Sequence, residues 1–354
     1  MTTPEAMHHS RRLAALLIVL VAACTRATPT GFPTRSAAVD SSGVYALLSG
    51  LSADSMEGRG TGTVGGVRAA RWIAARMSAV GLEAAGDSGY LQRVPLAMMP
   101  RGPQGAMRVA LLPNLAALDT VPADRRRPGF NVVGIIRGSD PQLRDEAVLV
   151  DAHYDHLGIR SSPQGGDSIY NGADDDGSGT VAVLEIARAM ANGPRPKRTL
   201  VFLTTTGEEV GLLGTRWYIQ SPVVPLARTV ANLEIEMIGR PDSLAGGWGK
   251  AWLTGFERST MGDMLKASGI PIVPDARPQQ NFFMRSDNIA FARLGIPAHT
   301  LSSFNLHTDY HKPSDDMRGV DAGHMAAVIR AAVAAVQRLA DGPAPQWHPG
   351  GRPQ

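Results

Sequence analysis

The stretch "AVLVDAHYD" (residues 147–155) combines a run of aliphatic side chains with a polar end. An apolar run of this length, dense in Val and Leu, is typical of a strand that is buried on both faces. Three other runs have the same character, "FNVVGIIRG" (130–138), "RTLVFLTTT" (198–206) and "TVANLEIEMIG" (229–239). We expect all four to form strands.

Segments with helical periodicity alternate with these strands, at 64–80, 179–192 and 321–340. Alternation of strands and helices predicts an α/β fold, with a mostly parallel mixed sheet flanked by helices in a single domain. In open sheets of this kind, ligands bind beyond the carboxyl ends of the strands. Functional side chains are therefore expected at that edge.

The composition is that of a globular protein. The 354 residues are 44% hydrophobic and 19% charged, and the formal net charge is only +3. These ordinary values exclude a disordered chain. The one dense basic run, "DRRRP" (124–128), is predicted to be a solvated loop, and no nucleic-acid partner is expected.

The first 23 residues have the pattern of a secretory signal. Arg11 and Arg12 precede the apolar run "LAALLIVLVAA" (13–23), which is too short to span a bilayer comfortably. The ending "VAAC" resembles a bacterial lipoprotein signal, in which Cys24 would be lipidated and become the new N-terminus. The alternative is an ordinary signal cleaved near Ala23 or Ala27. We expect an exported protein that is anchored to a membrane only through Cys24, in the periplasm or at the cell surface. The alternative is a secreted, soluble protein.

Four segments are predicted along the chain. They are a lipoprotein-type signal at 1–23, a flexible tether at 24–38, a catalytic domain at 39–343 and a Pro/Gly-rich tail at 344–354. Cys24 is the only cysteine, so no internal disulfide can form.

Residues that can bind metal ions follow the predicted strands and recur near the C-terminus. They are His153 and Asp155, the aspartates at 174–176, Glu208 and Glu209, Glu234 and Glu236, and His307 and His311. Imidazole and carboxylate together suit Zn²⁺, whereas an all-oxygen set would indicate Mg²⁺ or Ca²⁺. Each group alone has a simple structural explanation, but their joint placement at successive strand ends predicts a zinc site.

The motifs in this order resemble a known family. The series "HYDHLG", "GADDDGSG", "TTGEEVGLLG", "NLEIEMIG" and "YHKPSDD" is similar to that of the bacterial co-catalytic zinc aminopeptidases, a family that also includes glutamate carboxypeptidases and glutaminyl cyclases. "SADSMEGRGTGT" (52–63) and "FMRSDNIAFARLGIPA" (283–298) extend the resemblance, which runs from about residue 45 to 340. It implies a phosphorylase/hydrolase-like exopeptidase fold with two Zn²⁺ ions per chain.

The resemblance assigns the ligands residue by residue. It implies that His153 and Glu236 bind one zinc, that Asp155 orients the ring of His153, and that Asp175 bridges both metals. Glu236 departs from the pattern, because many relatives have Asp before "MIG". Glu234 is a competing candidate, since alternation along a strand puts it on the same face.

For the second zinc the resemblance implies Glu209 and His311. His307 is the alternative to His311, but "YHKP" matches the family pattern better. Asp176 would form a strained peptide bond with Asp175, as in relatives. Asp174 is expected to be solvated or to cap a helix.

The resemblance also implies a mechanism. Metal ions would polarise the substrate carbonyl and a bound water, and Glu208 would take the proton of that water and pass it to the leaving amine. Tyr310 matches a tyrosine that donates to the oxyanion in some relatives; its alternative role is ordinary packing.

Peptides are the expected substrates, and removal of N-terminal residues is the expected reaction. A glutaminyl-cyclase-like acyltransferase with one zinc, a carboxypeptidase or dipeptidase, and a non-catalytic binding lipoprotein are the alternatives. Aromatic and aliphatic residues in two late segments would line an apolar substrate pocket or belong to the core: Phe282, Phe283, Phe304 and Leu306.

Overall fold

The computed structural model describes residues 1–2, 39–102, 105–161 and 166–354. The chain divides into two units, Met1–Pro33 and Thr34–Gln354, and every element below belongs to the second unit. Cys24 and nearly all of the predicted signal and tether lie outside the described residues. Among the described residues, no helix has both the length and the apolar character needed to cross a membrane.

Seven α-helices and fourteen strands are formed by the described residues. The helices are α1 (Ser41–Leu51), α2 (Val64–Val80), α3 (Gly179–Ala191), α4 (Leu213–Gln220), α5 (Thr260–Ala267), α6 (Asn288–Arg293) and α7 (Ala322–Asp341). The strands are β1 (Glu83–Ala84), β2 (Leu91–Arg93), β3 (Leu96–Pro100), β4 (Met107–Leu111), β5 (Arg126–Arg127), β6 (Phe130–Ile136), β7 (Ala147–His153), β8 (Gly158–Ile159), β9 (Ile169–Tyr170), β10 (Thr199–Thr205), β11 (Thr229–Ile235), β12 (Ala251–Leu253), β13 (Ile272–Pro274) and β14 (Ala298–Ser302).

The predicted α/β fold is confirmed. The main sheet has the order β1-β6-β10-β7-β11-β14-β12-β13, with β2 also paired to β6. Its centre, β10-β7-β11-β14, is parallel, whereas β6 and β12 join it in antiparallel fashion. Two smaller antiparallel sheets are formed by β3, β4 and β5 and by β8 and β9. All four predicted central strands form, each ending within a few residues of the predicted limit.

The main sheet is buried on both faces, which explains its aliphatic strands. Along β7, Val148 and Val150 join a core with α1, α2, α3 and α7, while Leu149 faces a second core that contains residues of α4 and α6. Alternate side chains of one strand therefore enter different cores, because successive residues point to opposite faces. The result is a three-layer sandwich.

The helix limits follow from local capping. Helix α2 begins after Thr63, whose hydroxyl accepts a hydrogen bond from the amide of Gly66, and it ends at Gly81 with φ +81°. Helix α7 begins after Asp321, which accepts from the amide of His324. Both predicted helices are confirmed, and the helix predicted at 179–192 is α3.

The segment predicted as a Pro/Gly-rich tail packs against the domain. Its Trp347 ring donates a hydrogen bond to the carbonyl of Gly295, and its backbone pairs with Ser259 and Thr260. The ring also packs edge-on against Phe283. The chain from 344 to 351 therefore packs against the start of α5 and the segments that flank α6.

Candidate metal centre

The parallel strands bring the predicted ligands to one edge of the sheet. His153, the last residue of β7, lies level with Thr205 at the end of β10, and the Glu208–Glu209 pair comes shortly after that strand. The next strand, β11, pairs with β7 on the other side and leads into Glu236. Helix α3 follows the three aspartates at 174–176. The sheet order therefore brings side chains from distant parts of the chain to one site.

Asp175 is the centre of two clusters that could each hold a metal ion. In the first, one ligand atom each of His153, Asp175 and Glu236 lies within 4.8 Å of the others. In the second, the same holds for His156, Asp175 and Glu209. Because Asp175 belongs to both clusters, its two carboxylate oxygens can serve two neighbouring cations.

His311 approaches the second cluster from the loop before α7. Its Nε2 atom lies 3.1 Å from Oδ2 of Asp175 and 3.2 Å from Oε2 of Glu209. Its backbone is in the left-handed region, with φ +58°. His307 is directed elsewhere, since its Nε2 atom lies 3.0 Å from Oδ2 of Asp174. The structure therefore brings His311, and not His307, to the candidate ligands.

Unpaired polar atoms show that these clusters suit a cation. Nε2 of His153, both ring nitrogens of His156, Oδ2 of Asp175 and Oε1 of Glu209 are buried and have no hydrogen-bond partner among the described residues. Nδ1 of His156 lies only 2.8 Å from Oε1 of Glu209, yet the pair lacks hydrogen-bond geometry. Buried polar groups are almost always paired, so lone pairs that converge without partners fit a shared metal ion.

Asp155 lies beside the ring of His153, as the resemblance implies. Its backbone carbonyl is 3.1 Å from Nδ1 of His153, closer than its carboxylate at 3.8 Å. The carboxylate accepts hydrogen bonds from the Thr61 hydroxyl and from the amide of Glu208. Asp155 therefore contacts both His153 and Glu208, which is the residue next to the candidate ligand Glu209.

Glu234 does not join the ligands, although the alternation of the strand left it open. It is fully buried, and its carboxylate accepts from the amides of Asp287 and Asn288 and from the hydroxyls of Ser286 and Thr300. Both of its carboxylate oxygens are therefore occupied by donors at the start of α6 and in β14. Glu236 is the glutamate of this pair that faces the cluster.

The three aspartates at 174–176 have separate partners. The amide of Asp175 donates to Asp315, and Asp176 accepts from the amides of Gly179 and Met237. The Asp175–Asp176 peptide bond is cis. The expectation that Asp174 is solvated is wrong: it is completely buried and accepts from the amide of Gly239 and the hydroxyl of Ser178.

The pKa values of Glu208 and Glu209 are shifted in opposite directions although the two residues are neighbours. Burial raises the pKa of Glu208 well above its ordinary value, and the nearby carboxylates act in the same direction. Burial also acts on Glu209, but its contacts with His156 and His311 hold its pKa below the ordinary value. Although burial disfavours its cationic form, contacts with Asp175 and Glu209 raise the pKa of His311 to about 9. Glu208 is thus the better proton acceptor of the two glutamates.

A pocket adjoins the candidate ligands. Its wall contains Tyr310, which stacks on His311 with ring centroids 3.9 Å apart. Burial raises the pKa of the Tyr310 hydroxyl above its ordinary value, so that it keeps its proton. Phe282 and Phe304 line the pocket and also belong to a small buried cluster, so both predicted alternatives apply to them. Phe283 belongs to the core, and Leu306 is exposed.

Two residues of the site carry no role in the sequence prediction. His156 belongs to the second cluster, and its only sequence signal is its place three residues after His153. Arg59 is fully buried and donates to the carbonyls of Tyr154, Asn171 and Gly172. It lies in the 52–63 segment, which the resemblance marked without explaining it.

Imidazoles and carboxylates around one shared aspartate, with a glutamate of raised pKa beside them and a pocket in front, are the arrangement of a metal-dependent hydrolase. The sequence model of peptidase family M28 matches residues 131–336. That match covers more than half of the chain, so the chain belongs to peptidase family M28 and is a metallopeptidase.

Three solved structures of similar fold come from bacteria. An aminopeptidase from Aneurinibacillus sp. strain AM-1 has a TM-score of 0.60 and 17% identity, over 87% of this chain and 95% of that one. BSAP, a zinc aminopeptidase from Bacillus subtilis, has a TM-score of 0.60 and 17% identity, over 86% and 96%. The Porphyromonas gingivalis glutaminyl cyclase has a TM-score of 0.60 and 16% identity, over 85% and 98%. These likenesses establish the fold.

Among curated proteins, the chain is similar to fungal proteins called vacuolar membrane protease. It is 27% identical over 240 residues to that of Phaeosphaeria nodorum, which is 62% of this chain and 23% of the relative. It is 30% identical over 208 residues to that of Verticillium alfalfae, which is 55% and 18%. The chain thus spans about a fifth of the length of these relatives.

Proposed function

We propose that this metallopeptidase is an aminopeptidase that removes N-terminal residues from peptides with two zinc ions per chain. The observation that supports it most directly is that Asp175 belongs to two clusters of candidate ligands at once. In this proposal His153, Asp175 and Glu236 hold one ion, and Asp175, Glu209 and His311 hold the other, with His156 beside the second. Bound zinc would supply Lewis-acid polarisation of the scissile carbonyl and of a water molecule.

The protein's own groups would carry the proton transfers. Glu208 Oε2, which lies 3.9 Å from Nε2 of His153, would accept a proton from the attacking water. Its raised pKa makes it a base that keeps the proton long enough to deliver it to the amine nitrogen as the C–N bond breaks. The Tyr310 hydroxyl would donate a hydrogen bond to the carbonyl oxygen as negative charge develops there.

The experiment that tests this proposal combines metal analysis with a panel of aminoacyl-anilides, each offered with a free and with an acetylated amino group. We expect about two zinc ions per chain and hydrolysis that requires the free amine. One zinc with cyclisation of N-terminal Gln would indicate a transferase instead. Cleavage of acetylated peptides from the carboxyl end would indicate a carboxypeptidase.

We also propose that the protein is exported and held at a membrane by lipidated Cys24. This proposal rests on the sequence pattern of residues 1–24. Substitution Cys24→Ser should move the protein from the membrane fraction to the soluble exported fraction. An unchanged distribution would contradict anchoring at Cys24.

A further inference from the structure

The pocket beside the candidate metal centre has one positively charged arginine at its rim. Its wall is apolar at Met237, Trp252, Phe282 and Phe304. Among the described residues that line it, Arg285 is the only lysine or arginine. The acidic residues of the lining are all candidate ligands or the proposed base.

The guanidinium of Arg285 is not paired with an anionic group of any described residue. The side chain is exposed and makes no hydrogen bond or ion pair with any described residue. Its only contact of note is with the ring of Phe282, whose centroid lies 5.1 Å from the guanidinium carbon. Stacking on an aromatic ring leaves the N–H groups of an arginine free to bind a planar anion.

Other arginines near the site are engaged. Arg240 pairs with Asp309 at 2.7 Å, and Arg277 forms a two-pronged pair with Asp242 at 2.5 and 2.8 Å. Arg59 is buried against backbone carbonyls. Arg285 therefore differs from these neighbours in having its donors available to an incoming ligand.

The backbone that carries Arg285 is held in place. The carboxylate of Glu234 accepts hydrogen bonds from the hydroxyl of Ser286 and from the amides of Asp287 and Asn288, the three residues that follow Arg285. Phe282 on the other side stacks on Trp252, with ring centroids 5.2 Å apart. A charged group presented on an anchored turn loses little entropy when it binds a ligand.

Arg285 also lies within electrostatic range of the reacting groups. Burial and three carboxylates raise the pKa of Tyr310, and Arg285 is a cation that acts on it in the opposite direction. Tyr310 and Arg285 line the same pocket, so a substrate whose scissile carbonyl lies near Tyr310 would occupy the space beside the guanidinium.

We propose that Arg285 binds a carboxylate of the peptide substrate, so that the enzyme favours short peptides with a negative charge next to the scissile bond. This inference rests on the proposed peptidase function and names its substrate class. The carboxylate has two sources, the free C-terminus of a dipeptide or an acidic side chain. A guanidinium can pair with either through two parallel hydrogen bonds.

The test compares matched substrates that differ only in this charge. The pair Leu-Ala and Leu-Ala amide reports the C-terminal carboxylate. The pairs Leu-Glu amide with Leu-Gln amide and Glu-Ala amide with Gln-Ala amide report an acidic side chain on either side of the bond. The proteins are the wild type, Arg285→Gln, Arg285→Lys and the control Arg293→Gln, which changes an exposed arginine outside the pocket lining.

We expect the wild type to favour the charged member of at least one pair. Arg285→Gln should lower kcat/KM for that member roughly 10- to 100-fold, mainly by raising KM. This is the loss of affinity expected when one hydrogen bond to a charged group is removed. The substitution should leave the amide member unchanged. Arg285→Lys should restore part of the preference because it keeps the charge, and Arg293→Gln should behave as wild type.

A binding measurement separates this inference from the proposed function. The same pairs are titrated by calorimetry into Glu208→Gln and into Glu208→Gln with Arg285→Gln, where turnover is suppressed. Equal affinity within all pairs, no binding at all, or a preference that survives loss of Arg285 would each overturn the inference. Silence of the wild type toward every peptide would overturn the proposed function, and the binding result would still decide the role of Arg285.

Discussion

Nδ1 of His156 lies 2.8 Å from Oε1 of Glu209, while Nε2 of His311 lies 3.2 Å from the other oxygen of the same carboxylate. Glu209 is thus held between two imidazoles, one of them fully buried. The ring planes of the two histidines meet edge to face, with centroids 5.7 Å apart. This geometry makes His156 either a ligand of the second metal or the group that positions Glu209.

We predict that His156→Gln weakens zinc binding at the second cluster about 10- to 100-fold, the usual effect of removing a group that ligates or orients a metal ligand. Calorimetric titration of the metal-free protein with zinc would measure this effect. We expect one of the two zinc sites to be weakened and the other to keep its affinity. His307→Gln is the matched control, because His307 is bound to Asp174 and not to a candidate ligand. Two sites of unchanged affinity in His156→Gln would rule out both roles.

The second prediction separates the two adjacent glutamates. Glu208→Gln should lower kcat about 10²- to 10⁴-fold, because it removes the proton acceptor. Its zinc content should stay at the wild-type level, since Glu208 is not in either cluster. Glu209→Gln should lose zinc from the second cluster. Glu257→Gln, at an exposed position away from the pocket, should retain both activity and metal. Loss of zinc in Glu208→Gln would make it a ligand.

The third prediction concerns Glu236 and Glu234, which lie two residues apart. Glu236→Gln should lower zinc affinity at the first cluster and change the unfolding of the metal-free protein little. Glu234→Gln should lower the free energy of unfolding by about 1–3 kcal/mol, because it leaves buried donors before α6 poorly paired. Urea unfolding in EDTA and zinc titration of both variants would measure the contrast. The reverse pattern would identify Glu234 as the ligand.

The fourth prediction concerns pH and His299 in β14. This ring is fully buried between the Ser259 hydroxyl and the Thr254 carbonyl, and burial lowers its pKa to about 4. The unfolded chain takes up this proton near pH 6.5, whereas the folded protein does so only near pH 4. The stability linked to His299 is therefore present above pH 6.5 and is lost as the pH falls from there toward 4.

Between pH 7 and pH 5, wild type should lose about 2 kcal/mol more stability than His299→Gln. Urea unfolding of both proteins at both pH values, in EDTA, measures this double difference. Carboxylates whose pKa values are raised by burial contribute equally to both proteins and cancel. Equal pH dependence in the two proteins would show that His299 does not titrate as described.

The fold and most of the candidate site were predictable because both follow from patterns along the chain. Strands buried on both faces have aliphatic runs, and the carboxyl ends of parallel strands meet at one edge, so His153 could be grouped with the glutamate pairs at 208–209 and at 234 and 236. The resemblance then selected Glu209 and Glu236 as ligands. The order of the motifs along the chain completed the resemblance to the family.

His156, Asp174 and Glu234 could not be placed in the same way. His156 and Asp174 lie in short irregular segments between β7 and α3, where no periodicity tells which way a side chain points. The orientation of the Glu234 side chain is set by hydrogen bonds with residues at the start of α6, more than fifty residues away in the chain. Long-range contacts of this kind leave no signal near the residue that they control.

Arg59 shows that contacts which hold the loops of the site extend beyond the stretch that matches the family model. Every candidate ligand lies inside the stretch that matches the family model, 131–336. Yet the carbonyls of Tyr154, Asn171 and Gly172, which flank His153 and Asp175 in the chain, are held by a guanidinium more than seventy residues upstream of that stretch. A fragment cut at the borders of the match would carry all the ligands without the brace that spaces their loops. We therefore expect the smallest autonomous enzyme to begin before residue 59, outside the stretch that the family model matches.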